Sequence, residues 1–296
     1  MVVPGHNVLM IFVDGLGLGS DDPDRNPLAD RALGSLRDVL TTARPIDACL
    51  GVEGRPQSAT GQTTLLTGLN AARSMGRHVE GFPGRALKRV IRARNVFLEL
   101  GARGCSSTFA NAYYFDNTER VRHLPVHSVT TVAALAAHGE LRCRDRLERN
   151  EAVYQDLTRA SLGARGYQGP CIAPEEAAAH LVEIASGYRL TLFEYFQTDR
   201  AGHSGEREWA ANVLGDLNRF LSRLLDLCPS RHLTLMLTSD HGNIEDLSTP
   251  THTRNPVPFF AYGEGAGALR SGVQSLVDVT PALLRTIARD APRGAD

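Results

Sequence analysis

Three short apolar runs, each leading into a carboxylate, constrain this chain more than any other feature. Val8-Leu9-Met10-Ile11-Phe12-Val13 ends in Asp14-Gly15-Leu16-Gly17. Leu190 to Tyr195 leads to Asp199 and, four residues later, His203. Leu233 to Leu237 leads through Thr238-Ser239 to Asp240-His241-Gly242-Asn243. Runs this short, bounded by turn-formers, suit strands covered on both faces. Helical patterns lie between them. Pro174-Glu175-Glu176 opens a segment to about Gly187, with proline at the first helical position and acids in the first turn. Leu214, Leu217, Leu221, Leu224 and Leu225 recur at helical spacing between Glu206 and Leu227, and Val277 to Leu284 begins a last helix. Ala86 to Leu100 reads as a further core helix and Ser106 to Ala110 as a core strand. Strands alternating with helices specify an α/β fold with a mostly parallel sheet and helices on both faces.

In an open sheet of this kind, ligands gather outside the carboxyl ends of the strands. Asp14, Asp199, His203, Asp240 and His241 are therefore expected to converge on one edge. His252, in Thr251-His252-Thr253-Arg254-Asn255-Pro256-Val257-Pro258, adds another imidazole. Each has a bland reading on its own: Asp14 as a turn cap, Asp199 and His203 as a surface pair one helical turn apart, Asp240-His241 as a capped strand end. Their joint position beside strand ends points instead to a metal site. Asp and His ligands without thiolates suit Mn²⁺ or Zn²⁺. The small-residue segment Ser58-Ala59-Thr60-Gly61-Gln62-Thr63-Thr64 enters Leu65-Leu66-Thr67-Gly68 and places hydroxyls at a helix N-terminus, where backbone N–H groups face anions.

Composition narrows the function classes. The 296 residues suffice for one large domain with a sizeable core. A formal net charge of −1 argues against nucleic-acid or anionic-membrane partners. No apolar run approaches the length of a membrane span, and the N-terminal run lacks the basic flank of a signal peptide. Cys49, Cys105, Cys143, Cys171 and Cys228 are scattered, which fits reduced thiols and a cytoplasmic location. Arg85, Lys88, Arg89, Arg92 and Arg94 read as a solvated helix face. Residues 116–168 are less regular and richer in Arg, Glu and His, the pattern of an inserted lid. Within it Arg142, Arg144, Arg146 and Arg149 either clamp an anion or pair with the intervening acids.

Taken together, the chain resembles the alkaline phosphatase superfamily, and most of all the metal-binding half of cofactor-independent phosphoglycerate mutase. Phosphopentomutase is a more distant likeness. The resemblance rests on Val13-Asp14-Gly15, on Asp199-x-x-x-His203-Ser204-Gly205, on Ser239-Asp240-His241-Gly242-Asn243 and on His252-Thr253-x-Asn255-Pro256-Val257-Pro258, and covers roughly residues 1–75 and 185–296. It implies an alkaline-phosphatase-like fold and two divalent ions. One would be held by Asp199, His203 and His252, the other by Asp14, Asp240, His241 and the nucleophile. In the family that nucleophile, a serine or threonine, lies three residues before a Gly-His pair. Counting back from Gly68 gives Thr60, with Thr63-Thr64 in place of the pair and Ser58 and Thr63 as rivals.

Bacterial-type mutases of this family carry a large phosphotransferase insertion soon after the nucleophile, and it supplies most substrate-binding arginines. The segment available here is far shorter. The expectation is a single domain over residues 1–296 with a lid near 116–168, acting on a small phosphorylated substrate. Thr60 would attack the phosphoryl group, and water would then release it from a covalent phosphothreonine. The alternatives are a phosphosugar or phosphoglycerate mutase and a non-catalytic metal-binding protein of the same fold. Two ions about 3.5–4 Å apart stabilise attacking and leaving oxygens together. His78, Asn111 and Tyr113 are candidates for substrate contact. The oligomeric state is left open.

Overall fold

The computed structural model describes residues 6–288, so both ends of the expected 1–296 domain lie outside the described residues. Six strands form one sheet: β1 (Asn7–Val13), β2 (Arg44–Ile46), β3 (Ser107–Phe109), β4 (Leu190–Tyr195), β5 (Leu233–Thr238) and β6 (Val257–Tyr262). Their order is β2-β6-β5-β1-β4-β3. β1 pairs in parallel with β4, Val8 opposite Leu190, and with β5, Asn7 opposite Leu233. β3 is parallel to β4, whereas β6 runs antiparallel to β5, and β2 antiparallel to β6. The sheet is thus mixed, with a parallel block β5-β1-β4-β3 at its functional end. Neither β2 nor β6 was expected as a strand. Pro45 and Pro258 face each other across that pair, and proline is a signal against strand assignment.

The centre of the sheet explains the unbroken apolar run in β1. Val8, Met10 and Phe12 pack on one face against the helices Ser58–Thr67, Val129–His138 and Leu276–Ile287. Leu9, Ile11 and Val13 pack on the other, against Pro174–Ala185 and Arg207–Leu227. Alternate side chains of a strand point to opposite faces, so a strand buried on both needs no polar position. The expected helix over Ala86–Leu100 is two helices, Arg85–Ala93 and Val96–Gly101. The side-chain oxygen of Asn95 accepts from the N–H groups of Phe97 and Leu98 and starts the second one afresh. Arg85, Arg89, Arg92 and Arg94 are exposed, as a solvated face requires.

The stretch 116–168 divides in two. The helix Val129–His138 belongs to the first core through Val129, Val132, Ala133 and Ala134. Much of the remainder gathers around a small separate cluster of Ala112, Tyr114, Leu147, Ala152, Tyr154 and Leu162. Its arginines are engaged locally. Arg142 donates to Thr108 Oγ1 and the Tyr188 hydroxyl, and Arg144, Arg146 and Arg149 pair with Asp116, Glu151 and Asp145. Among the described residues no helix is long and apolar enough to cross a membrane, and the five cysteines are free.

Candidate metal centre

Three neighbouring parallel strands deliver the chemistry to one edge. Asp14 follows β1, Asp240 and His241 follow β5, and the helix Gln197–Ser204 after β4 carries Asp199 and His203 one turn apart. The loop before β6 adds His252. Ligand atoms of Asp14, Asp240 and His241 lie within 4.8 Å of one another, and so do those of Asp199, His241 and His252. His241 Nε2 is 3.2 Å from Asp14 Oδ1 and 3.5 Å from Asp240 Oδ2. His252 Nε2 is 3.5 Å from Asp199 Oδ1 and 3.0 Å from His203 Nε2, which is itself 3.4 Å from Asp199 Oδ2. All six expected side chains are brought together.

Their chemistry fits divalent cations. Asp14 Oδ1 and Asp240 Oδ2 are buried with no hydrogen-bond partner, an arrangement costly for a carboxylate unless a cation faces it. Oxygen and imidazole donors without sulfur match Zn²⁺ or Mn²⁺. Outer contacts fix the orientations. Pro56 O lies 2.9 Å from His252 Nδ1 and Pro250 O lies 3.0 Å from His203 Nδ1, so both rings donate through Nδ1 and turn Nε2 inward. Asn243 Nδ2 donates to Asp199 Oδ1 at 2.7 Å, and Gln62 Nε2 to Asp14 Oδ2 at 3.1 Å.

One buried carboxylate ties the loops together without touching the ligand atoms. Glu245 Oε2 accepts from the N–H groups of Gly17 at 3.0 Å and Asn243 at 2.7 Å. Its Oε1 accepts from Asn255 Nδ2 at 3.1 Å and from the Thr253 hydroxyl. The loop after β1, the loop after β5 and the His252 loop therefore share one acceptor. Two glycines permit the close approach. A Cβ on Gly15, whose φ is +71°, would lie 2.8 Å from Asp199 Oδ1, and one on Gly242 would strike Glu245 and Thr253.

The electrostatics follow from crowding acids in a dry site. Burial, then the charge of Asp240, pushes Asp14 up to about 7 against the attraction of the His241 ring. Burial would lower His241, but Asp240 and then Asp14 outweigh it and hold the imidazole at about 10. Burial also works to raise Asp199, yet the His252 hydrogen bond and the charge of His241 keep it well below the usual carboxylate range. Glu194, inside β4, is raised to about 8 by burial and by Asp14, while the Thr130 hydroxyl, donating at 2.5 Å, works the other way.

Helix phase decides which hydroxyl faces this centre. Ser58 and Gln62 are one turn apart on the helix Ser58–Thr67 and share the face toward the metal ligands. Ser58 Oγ is 2.9 Å from His241 Nε2. Thr60 is turned away: its hydroxyl donates to Gln57 O and accepts from Val79 N–H, each at 3.2 Å, and it is fully buried. The structure does not bring Thr60 to the site where the sequence reading placed it as nucleophile and ligand. Two residues along a helix rotate a side chain by about 200°. Thr63 is also directed elsewhere, its hydroxyl donating to Ala59 O at 2.6 Å.

A cavity of about 590 Å³ opens beside the centre, with Asp14, Ser58, Gln62, Glu194 and Asp199 on its wall. Asn111 and Tyr113 line it. The Asn111 amide is committed to the Glu194 backbone, at 2.7 and 2.8 Å, and the Tyr113 hydroxyl lies 2.6 Å from Thr131 Oγ1. His78 does not line it; its Nε2 lies 3.4 Å from Val52 O in a neighbouring loop. Sequence reasoning missed Gln62, Glu194 and Glu245. Only Gln62 carried a signal, as the residue one turn after Ser58.

Known proteins share parts of this sequence and its fold. The chain is 33% identical over 132 residues to the 2,3-bisphosphoglycerate-independent phosphoglycerate mutase of Cereibacter sphaeroides, a match over 42% of this chain and 26% of the mutase. The corresponding enzyme of Halobacterium salinarum is 35% identical over 111 residues, 35% of this chain and 22% of the mutase. The chain thus matches only about a quarter of the length of these relatives. An alkaline phosphatase from the Antarctic bacterium TAB5 shares the fold at 12% identity and a TM-score of 0.55, over 98% of this chain and 99% of that one. A phosphoglycerate mutase of Leishmania mexicana does so at 13% identity and 0.52, over 99% and 97%. The family model of the metalloenzyme superfamily matches residues 6–291, and the chain belongs to that superfamily.

Proposed function

We propose that this protein is a metal-dependent phosphoester hydrolase that works through a covalent phosphoserine at Ser58. The observation carrying this reading is the placement of the Ser58 hydroxyl, 2.9 Å from His241 at the N-terminus of a buried helix and on the wall of the cavity. Thr60, the residue favoured by sequence counting, has its hydroxyl occupied elsewhere. Asp199, His203 and His252 would hold one divalent ion, and Asp14, Asp240 and His241, with Ser58, the other. Such ions supply charge neutralisation at the phosphoryl oxygens and lower the pKa of a coordinated hydroxyl.

The chain's own residues do the rest. The helix start would offer the phosphoryl oxygens its first N–H groups other than that of Thr60, which donates to Val79 O. Gln62 and Asn243 hold Asp14 and Asp199 in place. Ser58 Oγ forms a bond to phosphorus as the bond to the leaving alcohol breaks. The serine proton is lost to solvent, and the alcohol oxygen gains one. Water then attacks phosphorus, the Oγ–P bond breaks, and phosphate leaves with the serine hydroxyl restored. Ester and water are thereby converted to alcohol and phosphate.

A mutase is the second reading, favoured by the names of the matched relatives. It differs only in the acceptor, a second hydroxyl of the same substrate. The two are separated by supplying the Mn²⁺- or Zn²⁺-loaded protein with phosphate monoesters and with 3-phosphoglycerate. Free phosphate from the monoesters supports the hydrolase. Interconversion of 2- and 3-phosphoglycerate in an enolase-coupled assay, with little phosphate released, overturns it.

A further inference from the structure

The cavity beside Ser58 is poorly matched to a small polyanion. Its volume of about 590 Å³ falls in the range of pockets that enclose ligands far larger than a three-carbon acid. Rings and branched aliphatic chains make up much of the rest of its lining, among them Phe82, Phe109, Tyr113, Phe115, Val126 and Phe196. Phe82 is 56% exposed and Val126 47%, two of the four large apolar residues left in water among the described residues. Both belong to this cavity, which makes the apolar surface continuous from its wall to solvent. A cluster of exposed apolar side chains at one site marks a binding surface, whereas scattered ones do not.

Among the residues lining the cavity the arginines are Arg165 and Arg200. The Arg165 guanidinium donates to Tyr114 O at 3.2 Å and to the Tyr154 hydroxyl at 3.3 Å, and lies over the rings of Tyr114 and Phe115 at 5.7 and 5.1 Å. That of Arg200 lies over Trp209 at 5.8 Å. Arg165 is thereby held against the aromatic wall, while Arg200 is exposed and covers one face of an indole.

We propose that the alcohol half of the substrate is a flat aromatic group of one or two rings, stacked among Phe82, Tyr113, Phe115 and Phe196 while the phosphoryl group faces Ser58. This rests on the phosphoester reading above and names its substrate class. Rings are preferred over a flexible chain because the walls are themselves rings, which reward offset or edge contact and order a rigid partner at low entropy.

The test separates binding from turnover. Titration calorimetry of the Mn²⁺-loaded protein would compare methylphosphonate, octylphosphonate and 2-naphthylmethylphosphonate, none of which can be hydrolysed. The naphthyl compound is expected to bind at least about 30-fold more tightly than the methyl one, the gain from burying one ring face. It is also expected to outbind the octyl compound. Phe82→Ala together with Val126→Ala, both at exposed positions, is expected to shrink the naphthyl-to-methyl ratio about 10-fold. Equal affinity for methyl and naphthylmethyl, or for octyl and naphthylmethyl, would overturn the proposal. In parallel, ethyl phosphate and 2-naphthylmethyl phosphate, whose alcohols are of similar acidity, are assayed for phosphate release. A naphthyl preference in binding with neither ester cleaved upholds the pocket and rejects the hydrolase reading. Cleavage of both esters at equal kcat/KM, with equal binding, rejects the pocket and keeps the hydrolase.

Discussion

Glu245 lends itself to a quantitative test because it joins three loops and touches none of the ligand atoms. In Glu245→Ala the donors of Gly17, Asn243, Thr253 and Asn255 lose their common acceptor. A buried donor left without a partner costs about 1–3 kcal/mol, and water entering the space of the lost side chain recovers part of it. The expected loss of stability is about 4 kcal/mol. Glu245→Gln is gentler. Its carbonyl can keep the Gly17 and Asn243 N–H groups, and the Thr253 hydroxyl can accept from its amide, so Asn255 alone is stranded at about 1–2 kcal/mol. Because Asn243 also holds Asp199 and Thr253 adjoins His252, metal affinity should fall about 10–100-fold in the alanine variant. Each tenfold loss removes about 1.4 kcal/mol of the stabilisation that a fixed excess of metal confers. Urea unfolding of Mn²⁺-loaded and chelator-treated protein measures both effects. If Glu245→Ala unfolds at the wild-type midpoint in both conditions, the carboxylate does not tie the loops together.

Ser58→Ala should lower phosphate release by at least about 10³-fold, whereas Thr60→Ala should cost about 1–2 kcal/mol of stability and leave turnover within a few-fold; the reverse pattern restores Thr60 as nucleophile. Mass spectrometry of acid-quenched enzyme should find the phosphoryl group on Ser58. Gly15→Ala combines a left-handed backbone with a Cβ 2.8 Å from Asp199 Oδ1, and should destabilise the protein by about 2–4 kcal/mol in thermal unfolding. Glu194, at 4.5 when unperturbed and about 8 in the fold, binds more protons folded than unfolded between those values. Its contribution to stability therefore falls as pH rises through that window, by about 1.4 kcal/mol per unit at most. Glu194→Gln should flatten that part of the stability–pH profile, and an unchanged profile would show that the carboxyl is not held neutral.

The ligand-bearing strand ends were legible because two independent patterns coincide there, an apolar run of strand length and an acid or imidazole just beyond it. Asp14, Asp199, His203, Asp240 and His241 all satisfy both. Ser58 was ambiguous because helix phase depends on where the helix begins, and the segment offers hydroxyls at 58, 60, 63 and 64 without a side-chain cap to mark the start. Glu245 stands in Asn243-Ile244-Glu245-Asp246, which reads as an exposed acidic loop; burial by contacts distant in sequence leaves no local trace. Glu194 hides within a strand whose neighbours are apolar. β6 was obscured by Pro258, and the Phe82–Val126 rim joins two loops that nothing in the sequence links.

The strand pairings also govern when the centre can come into being during synthesis. Asp14 leaves the ribosome well before its strand's partners, residues 190–195 and then 233–238, have emerged. At about 5–20 residues per second this leaves the first strand waiting many seconds. Pairings so distant in sequence are slow to nucleate, and an unpaired apolar strand is prone to association in the meantime. A cation cannot template this fold from the N-terminus, since a site assembled from residues 14, 199 and 252 exists only once the sheet has closed. Metal should therefore act late, locking a chain that has already found its topology, and nascent chains shorter than His252 should gain little protection from it.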